Sequence, residues 1–218
     1  MARPSRIYVI AGVNGAGKSS IAGAMFRSEG GDYYNPDEAA RRLMAANPRL
    51  PQSEANARAW QRGRDLLEQS IDKRLDFAFE TTLGGNTITR ILAEAAARGA
   101  HLYVWYVGLS NLELHIRRVR ERVRKGGHDI PEETIRRRFE HSRRNLIALL
   151  PALTALRMYD NSTEADPAAG KAPRLTPVLL MEHRKILNPA DLPRAPDWAK
   201  PIVAAAIRLA RPQMKEWR

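Results

Sequence analysis

A chain of 218 residues without a single cysteine has room for one sizeable core but no disulfide and no thiolate metal site, which suits a reducing, cytoplasmic setting. Its 36 Lys and Arg against 24 Asp and Glu leave a formal net charge of +12, so an anionic partner is expected: a nucleotide, a nucleic acid or a membrane surface. The apolar run that opens the chain is far shorter than the ~20 residues of a membrane span, so a soluble protein is expected.

The first predicted element is a β-branched strand over Ile7 to Ala11. It runs into GVNGAGKSS, where Gly12, Gly17, Lys18 and Ser19 satisfy G-x-x-x-x-G-K-[ST] with a strand before and a helix after. This is a P-loop, or Walker A motif, and Gly12, Asn14, Gly15, Ala16, Gly17, Lys18, Ser19 and Ser20 are its predicted nucleotide cradle. Glycines let successive N–H groups point inward at a phosphate, and the helix start adds a favourable dipole. Lys18 then reaches the β- and γ-phosphates, and the Ser19 hydroxyl is the predicted Mg²⁺ ligand.

A short strand at Tyr33 to Tyr34 leads into NPDEAARR, with Asn35 as the predicted N-cap and Pro36 in the first helical position. Asp37 thus lies in the first helical turn, at the carboxyl edge of the sheet, where a carboxylate can accept a proton from a substrate hydroxyl. An acid at a helix start is also favoured by the dipole alone, and Asp32 and Glu38 compete for the role. Ser53 to Leu75 carries Trp60, Leu67, Ile71 and Leu75 at helical spacing and is predicted to face the core. A strand over Asp76 to Phe79 ends in FETTLGG, placing Glu80, Thr81 and Thr82 outside the strand's carboxyl end, where ligands of open α/β sheets bind. Glu80 has two candidate roles, holding acceptor hydroxyls or standing in for a Walker-B acid beside Mg²⁺; capping the next helix is the structural alternative.

After a strand over Leu102 to Val107, the segment from Asn111 to Arg144 holds eleven Lys or Arg and six Asp or Glu, about twice the basic density of the whole chain. Ser110 and Glu113 read as a capping box, and Leu112, Ile116, Val119 and Val123 form one apolar stripe flanked by Arg118 and Arg122. Gly126 and Gly127 break that helix, and a second one opens after Pro131 and carries Arg136, Arg137 and Arg138. A helix, glycine hinge and helix rich in arginine is what a lid over transferring phosphates needs. The alternatives are a solvated basic face or an RNA-binding patch; few aromatics interleave the arginines, which weakens the RNA reading. His128 has no histidine partners at ligand spacing, so no metal other than Mg²⁺ is expected.

A last strand covers Leu156 to Tyr159, and eight of the fourteen prolines follow Asp166, so the tail reads as loops and one late helix. The expected fold is α/β: a P-loop NTPase, kinase-like, in three layers, with a central, mainly parallel sheet of five or six strands, helices on both faces and a helical arginine-rich lid at about 110–145. Residues 1–162 form its core and 163–218 a Pro-rich extension packed on it. No lysine sits in the guanine-reading N/T-K-x-D pattern and no LSGGQ-like signature occurs, which disfavours GTPases and transporter ATPases and leaves a small-molecule kinase or a nucleotide-dependent RNA-binding protein.

GVNGAGKS, NPDEAARR, FETTL and the RVRERVRKGGHDIPEETIRRR segment, with MYDNS near the last strand, together resemble the zeta toxin family over roughly residues 6–162. These are P-loop kinases of bacterial toxin and antitoxin systems and their chromosomal relatives. The resemblance implies ATP- and Mg²⁺-dependent phosphorylation of a UDP-activated amino sugar, typically UDP-N-acetylglucosamine, and an antitoxin protein as a possible partner. It carries the P-loop lysine to Lys18, the catalytic aspartate to Asp37 and the substrate-binding glutamate to Glu80, with Arg118, Arg122 and Arg138 as candidate lid arginines. A kinase of another acceptor, such as a nucleoside, a nucleotide cofactor or a polynucleotide end, is the alternative reading.

Overall fold

Ile7, Val9, Ile10 and Ala11 are all fully buried in β1 (Arg6–Ala11), so both faces of this strand are covered and it belongs in the interior of a sheet. The computed structural model describes residues 3–19, 33–127, 129–163 and 175–210. In it, β1 pairs in parallel with β2 (Phe77–Thr81) on one side and β3 (His101–Gly108) on the other. β4 (Ala155–Asp160) extends the parallel sheet from β3. Antiparallel β5 (Thr176–Glu182) and β6 (Lys185–Ile186) complete six strands in the order β2-β1-β3-β4-β5-β6. The chain steps to one side of β1 and then to the other, so the loop after β1 sits at a topological switch point, where open α/β sheets bind ligands.

Beside the helix that begins after the loop following β1, the described residues form six helices around this sheet: α1 (Pro36–Ala46), α2 (Gln52–Asp72), α3 (Asn86–Ala97), α4 (Leu112–Arg124), α5 (Glu132–Leu149) and α6 (Lys200–Ala210). Leu67, Leu92, Leu146 and Ile202, one from each of four helices, are fully buried with the strand residues in the main core. Among the described residues, no helix is long and apolar enough to cross a membrane.

Three expectations need correction. The short strand at Tyr33 to Tyr34 is a single parallel bridge between Tyr34 and Phe79, in which the Tyr34 N–H donates to the Ala78 carbonyl (2.8 Å) and the Glu80 N–H to the Tyr34 carbonyl (2.8 Å). That bridge fixes Asn35 beside the end of β2. In α2 the buried face is built from Ala55, Ala59, Gly63, Leu67 and Ile71, while Trp60 and Leu75 are 42% and 53% exposed. Trp60 is seven residues before Leu67 and so on the same side, but at that level the helix borders a cavity instead of the sheet. Leu75 lies past the helix end, where Arg74 takes a left-handed conformation (φ 55°).

The third correction concerns the tail. Part of what reads as loops is strand: β5 pairs with β4, and its Val178, Leu179 and Met181 are buried in the main core beside Ile202, Val203 and Ala206 of α6. Pro177 is accommodated because it faces Tyr159 at a register shift, a place where a strand tolerates the missing N–H. Residues beyond 162 therefore supply strands of the central sheet.

Candidate active site

The loop after β1 has the backbone its glycines allow. Gly12 and Gly15 stand at φ 138° and 82°, and a Cβ on Gly12 would lie 2.1 Å from the Val107 carbonyl oxygen, so no other residue fits there. The Ala16 N–H donates to the Val13 carbonyl (3.1 Å), and Asn161, just beyond β4, donates its side-chain amide to the Ala16 carbonyl (2.9 Å). Lys18 and Ser19 begin the helix that follows. Ser20 and Asp32 lie outside the described residues, as does His128.

Glu80 is buried at the end of β2, in register with Ile10, and meets the loop directly. One carboxylate oxygen accepts from the Ser19 hydroxyl (2.8 Å) and from the Asn35 amide (3.2 Å). The other lies 3.5 Å from the Lys18 amine, itself buried. Asn35 also caps α1 as its sequence position predicts, accepting from the Asp37 and Glu38 N–H groups (2.9 and 3.3 Å). Asp37 thus starts α1 within the same cleft, and its carboxylate lies 4.0 Å from the Arg122 guanidinium. Thr81 and Thr82 turn their hydroxyls to the N–H groups of Leu83 and Gly84 (3.1 and 3.3 Å), shaping the turn that follows β2.

The arginine-rich pair α4 and α5 is seated on the loop by an apolar cluster in which Val13 packs with Ile116, Val119, Ile130 and Ile135. The N-cap of α4 is Asn111, which accepts from the Leu114 N–H (2.8 Å); the Ser110 N–H donates to Ser162 Oγ (2.7 Å). This replaces the expected capping box. Gly126 (φ 81°) ends α4 as the sequence indicates. Arg118 and Arg122 line the loop's side of the cleft, whereas Arg137 and Arg138 line the other side. Arg136 pairs with Glu132, as does Arg120.

Arg138 is held on two sides. Its Nη1 donates to Asn14 Oδ1 (2.8 Å), and its stem passes so close to Gly84 that a Cβ there would lie 2.4 Å from Arg138 Cγ. Burial draws the guanidinium below the usual arginine range, and the Asp37 carboxylate opposes that shift. His115, which sequence reasoning passed over, lies under the loop, 1% exposed, and its Nδ1–H donates to the Asn14 carbonyl (2.8 Å). Burial pushes its pKa down to about 4, and the Lys18, Arg118 and Arg143 charges act in the same direction. Its spacing from Leu112 and Val119 on the apolar stripe was the available signal.

Two cavities, of about 920 and 310 Å³, meet in this cleft. Gly15, Gly17, Ser19, Arg118 and Arg122 line the larger alone; Thr81, Thr82, Trp60, Arg137 and Arg138 line the smaller alone. Asn14, Lys18, Asn35, Asp37 and Glu80 border both. The cleft therefore joins an anion cradle to a second pocket through two acids, an amine and two amides. Among the described residues, no cluster of three or more His, Asp or Glu side chains could hold a metal ion.

Sheet order and loop together define the class: a kinase-like P-loop fold. The zeta toxin family model matches residues 2–166, and the chain belongs to that family. It is similar to a protein of Haemophilus influenzae, described only as uncharacterized, with 30% identity over 132 residues that cover 59% of this chain and 88% of the relative. Among solved structures, a chain of the AvrRxo1-ORF1:-ORF2 complex superposes with a TM-score of 0.62 at 13% identity, covering 99% of this chain and 66% of that one. The same complex with ATP gives 0.63 at 14% identity, with the same coverage. This chain spans 66% of the length of those chains, and at such identity the likeness establishes the fold.

Proposed function

We propose that the protein transfers the γ-phosphoryl group of ATP to a hydroxyl of a UDP-activated amino sugar, with UDP-N-acetylglucosamine the leading acceptor. Family membership supports this reading, and one observation carries it: Asp37, Glu80 and Lys18 border both cavities, so a donor in one and an acceptor in the other would meet at these side chains. The loop N–H groups and Lys18 hold the donor phosphates. The acceptor hydroxyl oxygen attacks the γ-phosphorus, its proton passes to the Asp37 carboxylate, and the bond to the ADP oxygen breaks as ADP leaves. Arg122 and Arg138, from opposite sides of the cleft, offset the charge on the transferring group.

The residues also fit Mg²⁺. Ser19 Oγ and Glu80 Oε2, 2.8 Å apart, are hard oxygen donors beside the phosphate cradle, and Mg²⁺ on phosphates takes only one or two protein ligands. Bound there, it would neutralise charge on the β- and γ-phosphate oxygens. Glu80 in this role stands as a Walker-B-like acid, with Lys18 released to the phosphates when the nucleotide enters.

The test is incubation of the pure protein with Mg²⁺, ATP and a panel of UDP-sugars, free sugars, nucleosides and nucleotide cofactors, read by mass spectrometry for one added phosphoryl group. A UDP-amino sugar gaining 80 Da in an Asp37-dependent reaction supports the proposal; modification of a different acceptor alone replaces the substrate. An antitoxin partner is proposed on family membership and on the likeness to a chain from a two-component complex. Co-purification of a neighbouring gene product that suppresses turnover tests it.

A further inference from the structure

Among the described residues, Trp60 is the one exposed large aromatic, and it is not scattered at random over the surface. It lines the smaller cavity, together with Gly63 and Arg64 from the next turn of α2. Each neighbour holds the ring wall in place. The Tyr34 ring packs on Gly63 so closely that a Cβ there would lie 2.7 Å from Tyr34 Cε1, and the Tyr34 hydroxyl donates to the Ala59 carbonyl (2.6 Å). The Arg64 guanidinium carbon lies 5.8 Å from the Trp60 ring centroid, within cation–π range, while its nitrogens pair with Asp65 (3.1 Å) and Glu68 (3.7 Å). An indole left 42% exposed on a braced wall is a flat apolar surface in want of a flat partner.

We propose that Trp60 is the platform on which the base of a nucleotide-bearing acceptor stacks, and is thereby a specificity-determining residue of the acceptor pocket; this rests on the kinase reading above. The rest of the cavity agrees with such a ligand. Arg137 supplies positive charge for its phosphates, and Asp37 stands where its reacting hydroxyl must lie. A base with a diphosphate tail uses all three features. A free sugar uses only the last.

The experiment compares wild type, Trp60→Ala and Trp60→Phe with UDP-N-acetylglucosamine, free N-acetylglucosamine, and nucleosides and nucleotide cofactors as acceptors, alongside tryptophan fluorescence during titration with UDP. The alanine variant is expected to raise the acceptor KM about tenfold or more, as loss of one base-stacking partner does, with kcat and the KM for ATP within about twofold. The phenylalanine variant should restore the acceptor KM and abolish most of the UDP-induced quenching. An unchanged acceptor KM in Trp60→Ala overturns the platform and leaves the UDP-sugar reading standing. Phosphorylation of a different base-bearing acceptor, with a Trp60-dependent KM, keeps the platform and ends the UDP-sugar reading. Equal kcat/KM for the free sugar and its UDP form overturns the platform, as does acceptance of base-free compounds alone.

Discussion

Asn14 Oδ1 accepts a 2.8 Å hydrogen bond from Arg138 Nη1, joining the phosphate loop to α5 across 124 positions of sequence. Asn14 is 6% exposed, and its backbone carbonyl accepts from His115 on α4, so one loop residue is gripped by both arginine-bearing helices. The consequence is preorganisation: Arg138 is aimed into the acceptor side of the cleft before any substrate arrives. Replacing Asn14 by Ala removes the anchor without touching the loop's N–H groups. A hydrogen bond to a charged partner contributes ~1.5 to 3 kcal/mol, so kcat should fall at least about tenfold, with the KM for ATP within about twofold. Steady-state kinetics in both substrates check this, and an unaltered kcat would show that Arg138 needs no anchor.

Gly84 makes the same point from the other side of Arg138. An added Cβ would meet Arg138 Cγ (2.4 Å) and Cβ (3.0 Å), atoms close to the α5 backbone, so Gly84→Ala should displace the guanidinium together with a small local shift of the Gly84 turn against α5. The expected result is a loss of kcat similar to that of Asn14→Ala, a far-ultraviolet circular dichroism spectrum like that of wild type, and a double variant scarcely worse than either single one. Additive losses would mean that the two residues act through different partners.

Asp37 lies at the meeting of the two cavities and 4.0 Å from Arg122. Asp37→Asn keeps the shape and the helix start but cannot take a proton. General-base catalysis contributes typically 10²- to 10⁴-fold, and a loss of that size in kcat is expected, with ATP affinity by calorimetry nearly unchanged. Turnover at the wild-type rate would move the base to another residue.

Local chemistry made much of the site legible. The P-loop pattern, Asn35 as cap and Asp37 in the first turn each depend on neighbours within a few residues, and the structure has them where the sequence indicates. Glu80 was placed by the rule that strand ends carry ligands, but whether it faces metal or acceptor depends on Ser19, Asn35 and Lys18, which only the sheet register brings to it. Trp60 reads as a core residue because periodicity records which side of a helix a residue is on, not whether that side meets a sheet or a cavity. The tail reads as loops because eight prolines interrupt it, while the buried run Val178, Leu179 and Met181 is too short to announce a strand against them. Its antiparallel pairing with β4 supplies what local propensity lacks.

That pairing carries a stability prediction. Leu179 is fully buried in the main core, opposite Met158 of β4, and Leu179→Ala should cost about 2 to 5 kcal/mol in unfolding free energy, as large-to-small changes at packed sites do. Ending the chain after Ser162 removes β5, β6 and α6 together with Trp198, whose indole N–H donates to Asp160 (2.6 Å). The truncated protein should fail to unfold cooperatively in urea. A cooperative transition near that of the full chain would show that residues 1–162 form a core that folds without the extension packed on it.

His115 gives the stability a pH dependence whose sign is fixed by its burial. The folded protein holds its pKa at about 4, below the ordinary histidine value of about 6.5, so between these values the unfolded chain binds a proton that the folded one refuses. Stability from this group is therefore complete above pH 6.5, falls as the pH drops towards 4, and changes no further below that. A shift of this size corresponds to about 3 kcal/mol between pH 7 and pH 4. In His115→Asn the amide nitrogen takes the place of Nδ1 and can still donate to the Asn14 carbonyl, but nothing titrates. Urea unfolding of both proteins at pH 7 and pH 4 should show wild type losing about 3 kcal/mol more than the variant. Parallel losses would mean that the protonated imidazole is tolerated beneath the phosphate loop.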